Sequence, residues 1–169
     1  MMKNAQYWIE KLNLQKHPEG GYYRETYRCL DTVNNDHSLL RYNGKRNAST
    51  AIYYLLCDEE FSAFHRLESD EIFHFYSGSS LVVHIITSQG DYQAIKLGNN
   101  PEKNEVLQLV IPHHCWFASA VSQPNSYSLI GCTVAPGFDF SDFTLAKKED
   151  LITLFPQHQA IIEKFTSSF

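Results

Sequence analysis

The first apolar repeat in the chain is helical. Ala5, Trp8, Ile9 and Leu12 fall at i, i+3, i+4 and i+7, which predicts a short amphipathic helix over about 4–13. "HPEGG" then ends it, because Pro18 restricts His17 and Gly20–Gly21 permit a tight turn. From Tyr22 to about Ala135 the period changes to two. Nine short runs carry it: "YYRETYRC", "STAIYYLLC", "SAFHRL", "EIFHFYS", "LVVHIIT", "YQAIKLG", "EVLQLVI", "WFASAV" and "YSLIGCTVA". Between them, "TSQGDY" around Gly90 reads as a hairpin turn, "GNNPEKN" as an exposed loop and "SQPNS" as a turn. The end returns to helix. "AKKEDLITLF" puts Leu151, Leu154 and Phe155 on one face, and Pro156 is placed to open a last helix carrying Ile161, Ile162 and Phe165. Short strands flanked by terminal helices predict an all-β sandwich or jelly roll. The expected organisation is one domain over 1–169, with a barrel over about 21–140 and C-terminal helices over about 146–165.

Composition supports that picture and narrows the partners. Aromatic residues make up 14% of the chain, with ten Tyr and eleven Phe, which leans towards β structure. The formal charge is −5, and the densest basic spot is the pair Lys45–Arg46, so no nucleic-acid surface is expected. Glu10 and Lys11 stand where an export signal needs an apolar run. The longest apolar runs, "AIYYLL" and "LVVHII", fall short of the roughly 20 residues that span a bilayer. A cytoplasmic protein without a membrane partner is the expectation. Cys29, Cys57, Cys115 and Cys132 show no CxxC spacing and read as reduced thiols, most of them buried.

Candidate chemistry concentrates in "FHRLESDEIFHFYSG", Phe64 to Gly78. His65 ends one strand and Glu71 starts the next, so the two can meet across the "LESD" turn. Alternation puts Glu71, Phe73 and Phe75 on one face, with Ile72, His74 and Tyr76 on the other. His74 is therefore expected away from Glu71, while His84 in "LVVHIIT" can face either way.

The spacing His65, Glu71, Gly78 resembles the first motif of the cupin superfamily, with Leu67 in place of its second His. "PHHCWF" resembles the second motif, with Pro112 matched, His114 at the Gly and Phe117 at the last His. "HPEGGYYRETYR", "STAIYYLL", "FSAFHRLESDEIFHFYSG", "VIPHHCWFASA" and "YSLIGCTVAPGFDFSDFTLA" occur in order over about 5–155. Together they resemble the fifth cupin family, long labelled a domain of unknown function. That resemblance implies a cupin double-stranded β-helix, a homodimer, and a likeness to the nucleotide-sugar epimerase cupins. It implies no one reaction.

Three chemistries compete for His65 and Glu71. A cupin metal site generally offers three His and one Glu, and here Leu67 and Phe117 fill two of those places. Two ligands fall short of a catalytic zinc site or an iron facial triad, so no cofactor is expected and a divalent metal is a weakly favoured reading. Apolar residues at ligand positions favour an organic ligand, small and polar, with a sugar-like molecule as one form of it. Residues expected to contact it are Arg24, His65, Glu71, Phe73, Trp116 and Phe117. The alternative is an isomerase or epimerase in which His65 is the base and Glu71 fixes its tautomer. Tyr23, Tyr53, Tyr54 and Tyr127 are then candidate acids. The fourth reading is a buried structural pair.

Other stretches have plainer expectations. Arg24 either clamps a carboxylate or phosphate or pairs with a Glu across strands. Glu19 and its two glycines serve the turn. "HHC", His113–Cys115, reads as a surface turn, because neighbours on a strand cannot converge on a metal. In "APGFDFSDF", Phe138, Phe140 and Phe143 pack the chain down, and Asp139 and Asp142 cap the turn or edge the pocket.

Overall fold

The fold comes from a computed structural model that describes residues 3–34 and 41–166. The first helix is α1 (Ala5–Lys11), whose N-terminus is capped by Asn4: its side-chain oxygen accepts from the Tyr7 N–H at 2.9 Å. Asn13, at φ 52°, then turns the chain out of helix. The apolar stripe of α1 packs on Leu55, Cys57 and Leu129, as its spacing predicts.

Two six-stranded sheets face each other. The first contains β1 (Gln15–Lys16), β2 (Tyr22–Arg28), β5 (Thr50–Cys57), β13 (Tyr127–Ala135), β7 (Asp70–Gly78) and β11 (Gln108–Ile111), in that spatial order. The second contains β10 (Glu105–Val106), β9 (Tyr92–Leu97), β8 (Leu81–Ile86), β12 (Trp116–Val121), β6 (Phe61–Leu67) and β14 (Phe143–Leu145). A separate ribbon pairs β3 (Thr32–Val33) with β4 (Arg46–Asn47). Successive strands cross between the sheets: β5 to β6, β6 to β7, β7 to β8, and β11 to β12. This is the jelly roll, all-β with short terminal helices. Those helices are α2 (Lys148–Leu154) and α3 (Gln159–Lys164), joined by a tight turn that Pro156 opens.

One predicted strand divides. "EVLQLVI" gives β10, parallel to β9 in the second sheet, and β11, antiparallel to β7 in the first. Leu107 lies between them, exposed, where the chain changes sheets. The strands β1, β3, β4 and β14 are three residues or fewer and too short to show a period.

The inner faces of the sheets form the main core, including Leu56, Phe73, Val83, Ile85, Phe117 and Ile130. A second cluster lies outside the second sheet, where Phe64, Ile86 and Trp116 meet Leu151, Ile162 and Phe165 of the C-terminal helices. The segment after β13 is fastened across one end of the sandwich. Arg46 Nε and Nη2 donate to the two carboxylate oxygens of Asp142, both at 2.6 Å, and both residues are buried. Among the described residues, no helix is long and apolar enough to cross a membrane.

Candidate functional site

The turn Pro18–Gly21 builds one wall of the site. Gly20 has φ +115°, and a Cβ there would run into the Phe61 carbonyl oxygen, so only glycine lets the turn lie on β6. The Tyr54 hydroxyl donates to the Gly20 carbonyl at 2.8 Å, and the Ala63 N–H donates to the Glu19 carbonyl at 2.9 Å. The turn is thus held between β5 and β6. Its glutamate side chain points inward rather than serving the turn alone, which corrects the expectation for Glu19.

Inside, Glu19 is fully engaged. The Ser62 hydroxyl donates to Oε1 at 2.9 Å, and His65 Nε2 lies 3.1 Å from Oε2. His65 Nδ1 lies 2.7 Å from the Ala63 carbonyl. A carbonyl only accepts, so Nδ1 carries a hydrogen, and Nε2 faces the Glu19 carboxylate. The partner of His65 is therefore Glu19, and the expected His65–Glu71 pairing gives way to it. His65 lies on the second sheet and Glu71 on the first, so they face one space from opposite walls. The Glu19 N–H donates to His17 Nδ1 at 3.3 Å, which puts the proton of the neutral imidazole on Nε2. Burial pushes the His17 pKa down.

Glu71 is in a different state. Burial first, then the nearby charge of Glu19, push its carboxyl up to about 8, against an ordinary 4.5. Cys132 on β13 is its hydrogen-bonding neighbour, and burial holds that thiol protonated as well.

These groups open onto a cavity of about 370 Å³ between the sheets. Its buried floor includes His65, Leu67, Glu71, Phe73 and Cys132, and Tyr23 and Phe143 add aromatic walls. Gln15, Glu25, Arg28, Asp139 and Phe140 are exposed and form the rim.

The contact residues expected from sequence divide three ways. His65, Glu71 and Phe73 line the cavity. Phe117 stands directly behind His65, with ring centroids 4.0 Å apart. Arg24 and Trp116 do not line it. Arg24 lies exposed on the outer face, opposite Tyr53. A β-bulge between Glu25 and Tyr27 reverses the alternation, so Arg28 joins Tyr23 and Glu25 on the cavity side. Trp116 faces outward under the C-terminal helices, with the Arg66 guanidinium 5.1 Å above its ring.

Of the candidate acids, Tyr23 and Tyr54 line the cavity, whereas Tyr53 and Tyr127 pack outside near α1. His74 faces outward, 3.2 Å from the Thr133 hydroxyl, and His84 lies 2.8 Å from the Tyr92 hydroxyl beside Phe165. His113 and His114 diverge to different acids, Asp70 at 2.7 Å and Glu68 at 2.6 Å. Asp139 caps its turn through the Ser141 N–H and edges the cavity, whereas Asp142 is the partner of Arg46. Phe138 and Phe143 pack down as expected, but Phe140 is largely exposed at the rim.

Leu67 and Phe117 stand where cupin ligands would be, and among the described residues no three His, Cys, Asp or Glu side chains converge to hold a metal ion. The donor set does not fit a resident metal.

Comparison with known proteins follows the same lines. Residues 6–146 match the family described as "Cupin superfamily (DUF985)". A crystal structure of a protein from Shewanella oneidensis is 38% identical, with a TM-score of 0.88 over 99% of this chain and 100% of that one. A hypothetical protein from Leishmania major is 35% identical, also with a TM-score of 0.88, over 98% and 99%. An uncharacterized protein of Saccharomyces cerevisiae is 33% identical over 156 residues, 87% of this chain and 77% of that protein.

Proposed function

The chain belongs to the cupin superfamily, in the family designated DUF985, and from that premise we propose that its cavity binds a small polar organic molecule. The observation that carries this is the joining of aromatic walls to a buried polar cluster. Tyr23, Phe73 and Phe143 surround a space that Glu19, His65 and Glu71 also line. Organic ligand sites combine apolar enclosure with a few placed polar groups, and about 370 Å³ is near the small end of their range. A molecule of sugar size, with hydroxyls for Glu71 and a ring face for the aromatics, suits such a space. A homodimer in the cytoplasm completes the proposal. Four free thiols fit a reducing compartment, and exposed Tyr76 and Val110 on the outer face of β7 and β11 offer an apolar patch to a second copy.

Titrating the protein with neutral sugars, amino sugars and hydroxy acids under NMR tests the proposal. A ligand is expected to move resonances of Phe73 and Tyr23. A panel that moves surface resonances only would sink it.

A second reading, proton transfer of the isomerase kind, is favoured by the state of Glu71. Both nitrogens of His65 are already engaged, so His65 acts by setting the charge of Glu19 rather than by touching substrate. Glu71, a protonated carboxyl near neutral pH, is then the group that exchanges a proton. Tyr54 is committed to the Gly20 carbonyl, which leaves Tyr23 as the cavity-lining phenol for the second proton transfer. Deuterium uptake from solvent into keto-sugars measures this. Equal uptake with the wild type and Glu71→Gln would remove Glu71 from the chemistry.

A further inference from the structure

We propose that the cavity selects a ligand carrying a protonated amine, held at the Glu71 carboxyl among the aromatic walls. The inference rests on the reading of the cavity as a ligand pocket and names the chemical class it takes.

The charges around the cavity are unequal in sign and in availability. Glu19, Glu25, Glu71 and Asp139 line it, against one arginine, Arg28. That arginine is spent. Its Nε and Nη2 donate to both oxygens of Glu25, at 2.9 and 2.7 Å, and its Nη1 donates to Asn47 Oδ1 and the Phe138 carbonyl. An anionic ligand therefore finds no uncommitted cation among the described lining residues.

The other titratable groups facing Glu71 are also accounted for. Glu19 bonds Ser62 and His65, His17 accepts the Glu19 amide, and Tyr54 bonds the Gly20 carbonyl. On β2, Tyr23 packs its ring edge-on to His17. At the rim Asp139 accepts from Ser141. The residues opposite Glu71 on its neighbouring strands, Ile111 and Val134, are apolar.

Among the carboxyl groups that line the cavity, Glu71 alone lacks a strong partner. It is 8% exposed, lines the cavity, and has a thiol, a weak donor, beside its carboxyl. No cation offsets the burial and the Glu19 charge that act on it. A ligand ammonium supplies what is missing: a charge-assisted hydrogen bond to the carboxylate, with aromatic rings around the cation.

The proton balance is explicit. Before binding, Glu71 holds its proton at neutral pH, having been pushed up to about 8. When the ammonium docks, the carboxyl ionises and that proton leaves to solvent, while the amine keeps its own.

Benzylamine, benzyl alcohol and benzoate share a ring and differ in charge, and they serve as probes of the full-length protein by NMR and calorimetry. Benzylamine is expected to bind about tenfold tighter than benzyl alcohol at pH 7, with benzoate weakest. Calorimetry in buffers of different ionisation heat is expected to show about one proton released per amine bound. Amine affinity is expected to rise by up to about tenfold per pH unit from 6 towards 8, with alcohol affinity flat. Glu71→Gln is expected to remove the preference for the amine over the alcohol. Equal binding of amine and alcohol, preferred binding of benzoate, or a flat pH dependence of the amine would overturn the amine selectivity and leave the ligand pocket standing. If none of the three probes moved cavity resonances, the pocket reading would itself fall. The pH series uses the wild type alone, so a variant that folds poorly leaves the test intact.

Discussion

Glu71 links the charge of one residue to the stability of the whole chain. Unfolded, its carboxyl titrates near 4.5, and folded it is pushed to about 8 by burial and by Glu19. The folded state thus holds a proton that the unfolded state releases. The stabilisation from that proton is complete below about 4.5 and is lost as pH rises through about 8. His17 and His84, both pushed down by burial, tilt stability the other way, favouring the fold as pH rises through the ordinary histidine range. The difference between wild type and Glu71→Gln isolates Glu71. Melting curves at pH 5, 7 and 8.5 are expected to show the variant gaining on the wild type as pH rises. A constant difference would mean that Glu71 titrates normally. At this scale the sequence reveals what lies on regular strands. Glu71 and Phe73 share a face by alternation and His74 takes the other, whereas His65 follows from the spacing of the cupin motif. Glu19 has no such signal, because a turn residue carries no period. Arg28 escapes because a single extra residue at the bulge reverses parity, and a count by twos from Tyr23 puts Tyr27 in its place.

Two elements hold the cavity's shape, and each offers a substitution with a clear sign. Gly20→Ala places a methyl group against the Phe61 carbonyl in a backbone conformation that L side chains rarely adopt. It is expected to destabilise by about 2 kcal/mol or more. Urea unfolding measures it, and a neutral result would show that the turn can move off β6. Asp142→Ala leaves the buried Arg46 guanidinium without its bidentate partner and is expected to cost about 3 kcal/mol by the same measurement. A loss under about 1 kcal/mol would show that the segment after β13 is held by its aromatic packing instead. Element types were readable where runs were long: α1, the C-terminal helices and most strands match their periods. The division of "EVLQLVI" was not readable, because both halves are apolar and the change of sheet happens at the single residue Leu107.

At the scale of the whole molecule, strand number and terminal helices point to a jelly roll, and the ordered motifs narrow it to the cupin family. Strand order within each sheet is decided by long-range pairing, such as β2 with β5 and β6 with β14, for which short windows hold no signal. The outer face of β7 and β11 belongs to this scale too. Light scattering is expected to give the mass of a dimer, and Val110→Glu to shift it towards a monomer. A monomeric wild type would remove the second copy from the proposal. The turn that carries Glu19 has one more consequence, for the order of events in folding. Glu19 meets Ser62 across 43 positions of chain, and His65 still further on. That loop must close, at a cost in chain entropy, before its buried bonds form. Local pairing of β8 with β9 needs no such closure. The buried cluster of Glu19, Ser62 and His65 is therefore completed only when the N-terminal segment docks on β6.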